Sequence, residues 1–337
     1  MTDRSRRDFL RDLALLGAGS WALGACARGT TGTGALASVG AVRPSIDQAG
    51  IQLFTVRDRL GDQFERTLAA LREIGYRNVE PFTYGAYTPE QMRAMFDRTG
   101  IAAPSTHAAL RPGPELERQL AGYQAMGHKY AAVGSPMAPR PTPNAAGATP
   151  APPPPRPTGG PPRMPSPTPD STKRMIDTLN EVGRAAKPYG ITALVHNHTM
   201  EWQKFEDGRT QFDLFLSELD PSVAVLELDI GWARVAGKNA VEMFRAHRGR
   251  FPLWHVKDMA DLAAVDANGD DQAARMRAAR IVPVGAGEID YRSVFAAAGD
   301  AGLRYWFVEQ DSAAAAGSDS LAAARQSFEA VRRILQS

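Results

Sequence analysis

Short apolar runs alternate along this chain with longer amphipathic stretches, and the alternation begins at Gly50. Gly50-Ile51-Gln52-Leu53-Phe54-Thr55 reads as a first strand. Phe64, Leu68, Leu71 and Ile74 then recur at helical spacing, and Gly75 stands where such a helix stops. Residues 77–82 read as strand two, 89–99 as a helix closed by Gly100, and 101–107 as strand three. A helix over 114–126 and strand four over 129–134 follow.

The rhythm continues with a helix over 171–189, with Thr172 as its cap, and strand five over 191–198. A helix over 210–219, strand six over 224–230, a helix over 240–248 and strand seven over 251–257 come next. Residues 260–280 are a polar excursion rich in Ala and Asp. A helix over 291–301, strand eight over 304–309 and a helix over 321–335 end the chain. Eight strands, each followed by a helix or helical segment, predict an α/β fold of the (β/α)8 TIM barrel type over residues 48–337. The competing layout is an open doubly wound sheet, but no G-x-G-x-x-G follows the first strand.

Two stretches break the pattern. Residues 136–169 are dense in Pro and hold too few apolar side chains to fold alone. They read as a Pro-rich disordered or polyproline-like insertion after strand four. Residues 1–47 read as a signal and linker. Ser5-Arg6-Arg7-Asp8-Phe9-Leu10 is a twin-arginine pattern, and the apolar run from Leu13 to Leu23 is too short to span a bilayer. Leu23-Gly24-Ala25-Cys26 resembles a bacterial lipoprotein processing box, with Cys26 as the lipid anchor. The expectation is twin-arginine export to the periplasm as a membrane-anchored lipoprotein, with residues 27–47 as a tether.

Composition narrows the function. A chain of 337 residues, 43% hydrophobic, can bury a sizeable core. A net charge of +2 supplies no basic field for nucleic acid. A single cysteine leaves no disulfide framework and no thiolate metal site. An oligomer is compatible with all of this.

The candidate chemistry sits at the strand ends, where parallel α/β proteins bind their ligands. Glu80 follows strand two and His107 strand three; His196, Asn197, His198 and Glu201 follow strand five. Glu227 and Asp229 lie on strand six, His255, Lys257 and Asp258 end strand seven, and Glu309 and Asp311 end strand eight. Residues two apart share a face of a strand, which pairs Glu227 with Asp229 and His255 with Lys257. Four of the six histidines belong to this set. A carboxylate–histidine mixture without cysteine suits Mn2+, Mg2+, Co2+ or Zn2+, and Asp229 and His255 read as two ligands of one ion. Open positions beside two or three carboxylates and one His mark a catalytic site. The plainer reading of each residue is structural: a hydrogen-bonded strand-end His, or a Glu227 salt bridge inside the barrel.

Seven segments together carry a resemblance. They are Gly50–Asp58, Gly75–Glu80, Val195–His198, Leu228–Trp232, His255–Met259, Val284–Asp290 and Val308–Asp311. From about Ile51 to Leu335 the chain resembles the sugar phosphate isomerase/epimerase superfamily, the xylose isomerase-like TIM barrels, in its exported twin-arginine branch. The resemblance implies a metal held by Glu, Asp, His and Glu on strands five to eight. Asp229, His255 and Glu309 match the last three. No Glu stands at the usual place on strand five, so Glu201 reaching back from the loop, or else His198, is expected as the first ligand.

The resemblance also implies proton abstraction beside a metal-polarised carbonyl, with Glu309 and Glu201 as acid and base on opposite faces. Lys257 is expected to face the developing oxyanion. Glu80, His107 and His196 are expected substrate contacts, and Trp232 and Trp202 offer flat faces either for sugar stacking or for the core. The function so implied is a divalent-metal-dependent sugar isomerase or epimerase acting on a small-molecule carbohydrate. Alternatives are a keto-glycoside lyase or hydrolase on the same site and a non-catalytic sugar-binding lipoprotein. An abasic-site endonuclease would need more His and acidic ligands than this chain has.

Overall fold

Eight parallel strands form the centre of the structure, a computed structural model that describes residues 43–134 and 166–337. In chain order the strands are β1 (Gly50–Gln52), β2 (Asn78–Glu80), β3 (Ser105–Leu110), β4 (Tyr130–Val133), β5 (Thr192–His196), β6 (Ala224–Asp229) and β7 (Leu253–Val256). A separate antiparallel pair, β8 (Asp258–Ala260) and β9 (Arg280–Val282), precedes the last barrel strand, β10 (Tyr305–Val308). The sheet order is β2-β1-β10-β7-β6-β5-β4-β3. A bridge between Asn78 and Ala102 joins the two ends, and His107 N donates to Pro81 O at 2.7 Å. The sheet is thereby a nearly closed barrel.

Helices surround it: α1 (Phe64–Ile74), α2 (Pro89–Thr99), α3 (Leu116–Met126), α4 (Pro169–Ala186), α5 (Gln211–Glu218) and α6 (Ile230–Val235). They continue with α7 (Ala240–Ala246), α8 (Leu262–Asp266), α9 (Gln272–Ala278), α10 (Tyr291–Ala296), α11 (Ala298–Ala301) and α12 (Ser320–Gln336). Local sequence sets their ends. Thr88 and Thr168 each form a capping box with the residue three positions on, and Pro89 and Pro169 occupy the first turns. Gly75 ends α1 at φ 130°, and a Cβ there would stand 2.2 Å from the Phe328 ring. None of the described helices is long and apolar enough to cross a membrane.

The period of two along each strand divides the interior. Val195, Leu226, Leu228, Trp254, Val256, Trp306 and Val308 point outward into the core shared with the helices. Leu194, Leu253 and Phe307 point inward as a separate apolar plug. Gly50 makes room for it, since a Cβ there would lie 2.5 Å from the Phe307 ring. One step further along the same faces come His196, His255 and Glu309. The barrel interior therefore changes from apolar to ionic toward the carboxyl ends of the strands, where such barrels carry their sites.

The strands are shorter than the sequence pattern predicts. The first ends at Gln52 because its side chain accepts from Phe54 N at 3.0 Å and starts a 3-10 turn over Leu53–Arg59. The polar excursion folds into β8, α8, α9 and β9, around a small apolar cluster of Trp232, Val235, Met259, Leu262 and Val265. The helix expected over 291–301 breaks into α10 and α11. Pro169, read as the end of the insertion, opens α4. The rest of the Pro-rich segment, the export signal and Cys26 lie outside the described residues.

His128 is a buried histidine with a purely structural setting. Its Nδ1 donates to Ala103 O at 2.5 Å, and the Tyr84 hydroxyl lies 2.7 Å from Nε2. Burial pushes its pKa down to about 4 from 6.5. The unfolded chain thus takes up a proton that the folded chain refuses between these values. The contribution to stability is intact above about pH 6.5 and is lost as pH falls toward 4. Urea denaturation is expected to show about 2 kcal/mol less stability at pH 5 than at pH 8 from this group alone. His128→Asn should flatten that difference by the same amount, and an unchanged slope would contradict the assignment.

Candidate metal and active site

Period-two geometry delivers one ionisable side chain after another to the barrel axis. His196 follows Leu194 on β5, Glu227 and Asp229 lie on β6, His255 follows Leu253 on β7, and Glu309 follows Phe307 past β10. The Asn197 side chain pins the end of β6: its Oδ1 accepts from Asp229 N at 3.0 Å and its Nδ2 donates to Asp229 O at 3.3 Å. Asp229 Oδ1 accepts from Trp232 N at 2.8 Å and so caps α6. This leaves Oδ2 to face the axis.

Four residues converge there. His196, Asp229, His255 and Glu309 each offer a ligand atom within 4.8 Å of the others. His196 Nε2 stands 3.4 Å from Asp229 Oδ2, and His255 Nδ1 stands 3.8 Å from that oxygen and 2.7 Å from Glu309 Oε2. His196 Nε2, Asp229 Oδ2 and His255 Nδ1 are buried without a well-aligned hydrogen bond. Convergent buried nitrogen and oxygen donors of this kind fit a divalent cation.

Lys257 lies against this group. Its Nζ is 2.8 Å from Asp229 Oδ2, 2.9 Å from Glu309 Oε2 and 2.7 Å from Asp311 Oδ2. Burial disfavours its charge, but the three carboxylates outweigh burial and raise its pKa. Burial likewise opposes ionisation of Glu309 and Asp229. Lys257 is the strongest opposing influence on each, and both stay well below the usual carboxylate range. Burial, followed by the charge of His255, drives the His196 pKa well down. His196 is therefore neutral, the form that binds metals.

A second group shares His255. Glu80, His107, Glu227 and His255 also offer ligand atoms within 4.8 Å of one another. His255 Nε2 lies 2.7 Å from Glu80 Oε2, which also accepts from Gln52 Nε2 at 3.0 Å. His107 Nε2 lies 2.6 Å from Glu227 Oε2. The contact with Glu80 fixes how His255 is presented: with Nε2 engaged there, Nδ1 faces Asp229 and Glu309.

Not every residue singled out in the sequence joins these groups. Glu201 folds back on its own loop, where its Oε2 accepts from His198 N at 2.8 Å. His198 is exposed, with its ring 5.0 Å from that of His196. Neither completes the four-residue group. His196, read as a substrate contact, stands in that place. Inward alternation from Leu194 was the signal for it. Trp232 lies over Lys257 at 5.1 Å, whereas Trp202 stacks on Phe212 at 4.5 Å within the core. Asp258 is a structural clamp, since its carboxylate accepts from the backbone N–H groups of Met259, Gly285, Gly287 and Ile289. It fixes the loop before α10.

Comparison with known proteins agrees with this architecture. The profile of the family described as xylose isomerase-like TIM barrel matches residues 68–334. Inosose dehydratase of Geobacillus thermodenitrificans is 28% identical over 157 residues, 45% of this chain and 52% of that protein. The chain spans about half the length of the curated relatives it matches. A sugar phosphate isomerase/epimerase from Parabacteroides distasonis has the same fold, with a TM-score of 0.60 at 18% identity over 90% of this chain and 98% of that one. So does a xylose isomerase-like TIM barrel protein from Mycobacterium smegmatis, solved in complex with magnesium, with a TM-score of 0.55 at 16% identity over 86% and 96% of the two chains. With the barrel, the strand-end site and a profile match over most of its length, this chain belongs to the xylose isomerase-like TIM barrel family.

Proposed function

We propose that this chain is a divalent-metal-dependent enzyme that removes a proton next to a carbonyl of a small carbohydrate. The observation that carries this reading is the convergence of His196, Asp229, His255 and Glu309 beside the buried ammonium of Lys257. Those four residues would hold the ion. When bound, a divalent cation supplies Lewis-acid polarisation of the substrate carbonyl.

The chain's own groups do the rest. Glu309 is ionised and accepts the proton. Its loss of charge frees Lys257 to face the negative charge that develops on the substrate oxygen. Lys257 is already desolvated and held by three carboxylates, so little reorganisation is needed. Trp232 offers an apolar face beside it. His107 is part-exposed at the edge of the second group and is placed to donate to a substrate hydroxyl.

A second reading concerns the step after proton removal. Epimerisation needs an acid on the opposite face, and the four-residue group offers His196 on β5 where Glu201 or His198 was expected. Asp229 is tied up as the cap of α6, which leaves Glu309 to carry the proton; Glu309 can return that proton to a neighbouring hydroxyl, which leaves as water, so elimination is favoured. The partial likeness to an inosose dehydratase supports the same choice.

Solvent deuterium exchange into a panel of keto-sugars and ketoses tests the common step. The metal-loaded protein is expected to exchange the proton beside the carbonyl. Glu309→Gln should slow exchange by about 10²-fold or more. Exchange that persists in this variant would remove Glu309 from the role. Product analysis then separates an epimer from a dehydrated product.

Metal content tests the ligand set independently of activity. His196→Ala is expected to lower affinity for Mn2+ or Zn2+ by about 10-fold or more, while Glu201→Gln retains it. The reverse outcome would restore Glu201 as the ligand from β5 and its loop.

A further inference from the structure

The seam of the barrel lies between β2 and β3, the two ends of the sheet order. At the site end of this seam one carbonyl takes two bonds. Pro81 O accepts from His107 N at 2.7 Å and from Thr106 Oγ1 at 3.0 Å. Pro81 follows Glu80 and Thr106 precedes His107, so the carbonyl fastens the two chains right beside the ionic layer.

Strand β3 bulges at the same point. It pairs with β4 at Thr106–Ala131 and again at Leu110–Val133, so β3 takes four steps where β4 takes two. A bulge takes backbone groups off the ladder and re-aims a side chain. Here side chains take up those groups. Ala108 N donates to Thr106 Oγ1 at 3.1 Å, and the Tyr123 hydroxyl donates to Ala108 O. His107 opens the bulge, and its Nε2 reaches to 2.6 Å from Glu227 Oε2 on β6.

Thr106 is itself held from behind. Tyr84 Oη lies 2.6 Å from Thr106 Oγ1 and 2.7 Å from His128 Nε2. The protons in this chain can be counted. His128 carries its proton on Nδ1 and donates it to Ala103 O at 2.5 Å, which leaves Nε2 as an acceptor. The Thr106 proton goes to Pro81 O. The single Tyr84 proton therefore lies between two acceptors, Thr106 Oγ1 and His128 Nε2. Thr106 and His128 are 0% and 1% exposed, so the Tyr84 hydroxyl is anchored on a side closed to water.

We propose that Tyr84 and Thr106 are positioning residues: by holding the β3 bulge against β2 they aim His107 at Glu227 and at the substrate hydroxyl that His107 takes. The proposal rests on the reading of His107 as a substrate contact, and the experiment separates the two claims.

NMR of the full chain with 15N-labelled histidines reads the aim of His107 without any substrate. The proton between His107 Nε2 and Glu227 Oε2 is expected as a downfield ring signal that His107→Gln removes. Tyr84→Phe and Thr106→Val should lose or broaden it, while Thr106→Ser, which keeps the hydroxyl, retains it. In Thr106→Val the Nδ1 proton signal of His128 is expected to persist and shows that the chain is folded. Kinetics then read the consequence, with the ketose that exchanges fastest in the panel above as the probe. His107→Gln, Tyr84→Phe and Thr106→Val should each raise KM by about 3–10-fold with kcat little changed, and Thr106→Ser should restore it. An unchanged His107 signal in Tyr84→Phe, or one that Thr106→Ser fails to keep, overturns the proposal. A lost signal with KM unchanged in these variants and in His107→Gln overturns the substrate contact of His107, and with it the functional half of the proposal.

Discussion

Lys257 carries an ammonium group into a region closed to water, and the arrangement around it follows from that charge. Nζ touches Asp229, Glu309 and Asp311, each within 3 Å. A buried lysine is tolerated only when paired in this way, and removing one partner of such a pair costs about 3–5 kcal/mol. The same contacts hold Asp229 and Glu309 ionised and aimed at the barrel axis. The backbone carbonyl of Lys257 is held as well, by the Tyr291 hydroxyl at 2.7 Å, and the neighbouring Asp258 fixes the loop that leads into α10. The charge network and the local fold are therefore fastened at the same two residues.

The barrel supplies what the network needs. Strands buried on both faces put apolar residues outward against helices, while their inward faces run from Leu194, Leu253 and Phe307 to His196, His255 and Glu309. The apolar plug closes one end of the interior and leaves the ionic layer to face the other. This division lets four backbones far apart in sequence present donors to one point without any loop having to reach inward.

Much of this could be read in the amino-acid sequence, because a period of two needs no tertiary information. Asp229, His255 and Glu309 fall at strand ends in the sequence and meet in space. The choice between Glu201 and His198 did not survive in the geometry. It depended on how the loop after β5 turns, and that is set by a local contact, Glu201 Oε2 accepting from His198 N. The same alternation, continued from Leu194, would have pointed to His196. For Trp202 both readings, sugar stacking and core packing, were open in the sequence. Apolar area alone does not tell a sugar platform from a core residue, and its partner Phe212 decides the matter. The excursion over 260–280 reads in the sequence as polar because its apolar residues are few. They become a cluster only when Trp232 and Val235 of α6 complete it.

The central claim is that His196, Asp229, His255 and Glu309 are the ligands of one divalent ion. Anomalous diffraction at the absorption edge of a soaked Mn2+ or Zn2+ ion tests it most directly. The account predicts a peak about 2.0–2.3 Å from Nε2 of His196, Nδ1 of His255 and carboxylate oxygens of Asp229 and Glu309. A peak ligated by Glu201 in place of His196, or no peak among these four residues, would contradict it.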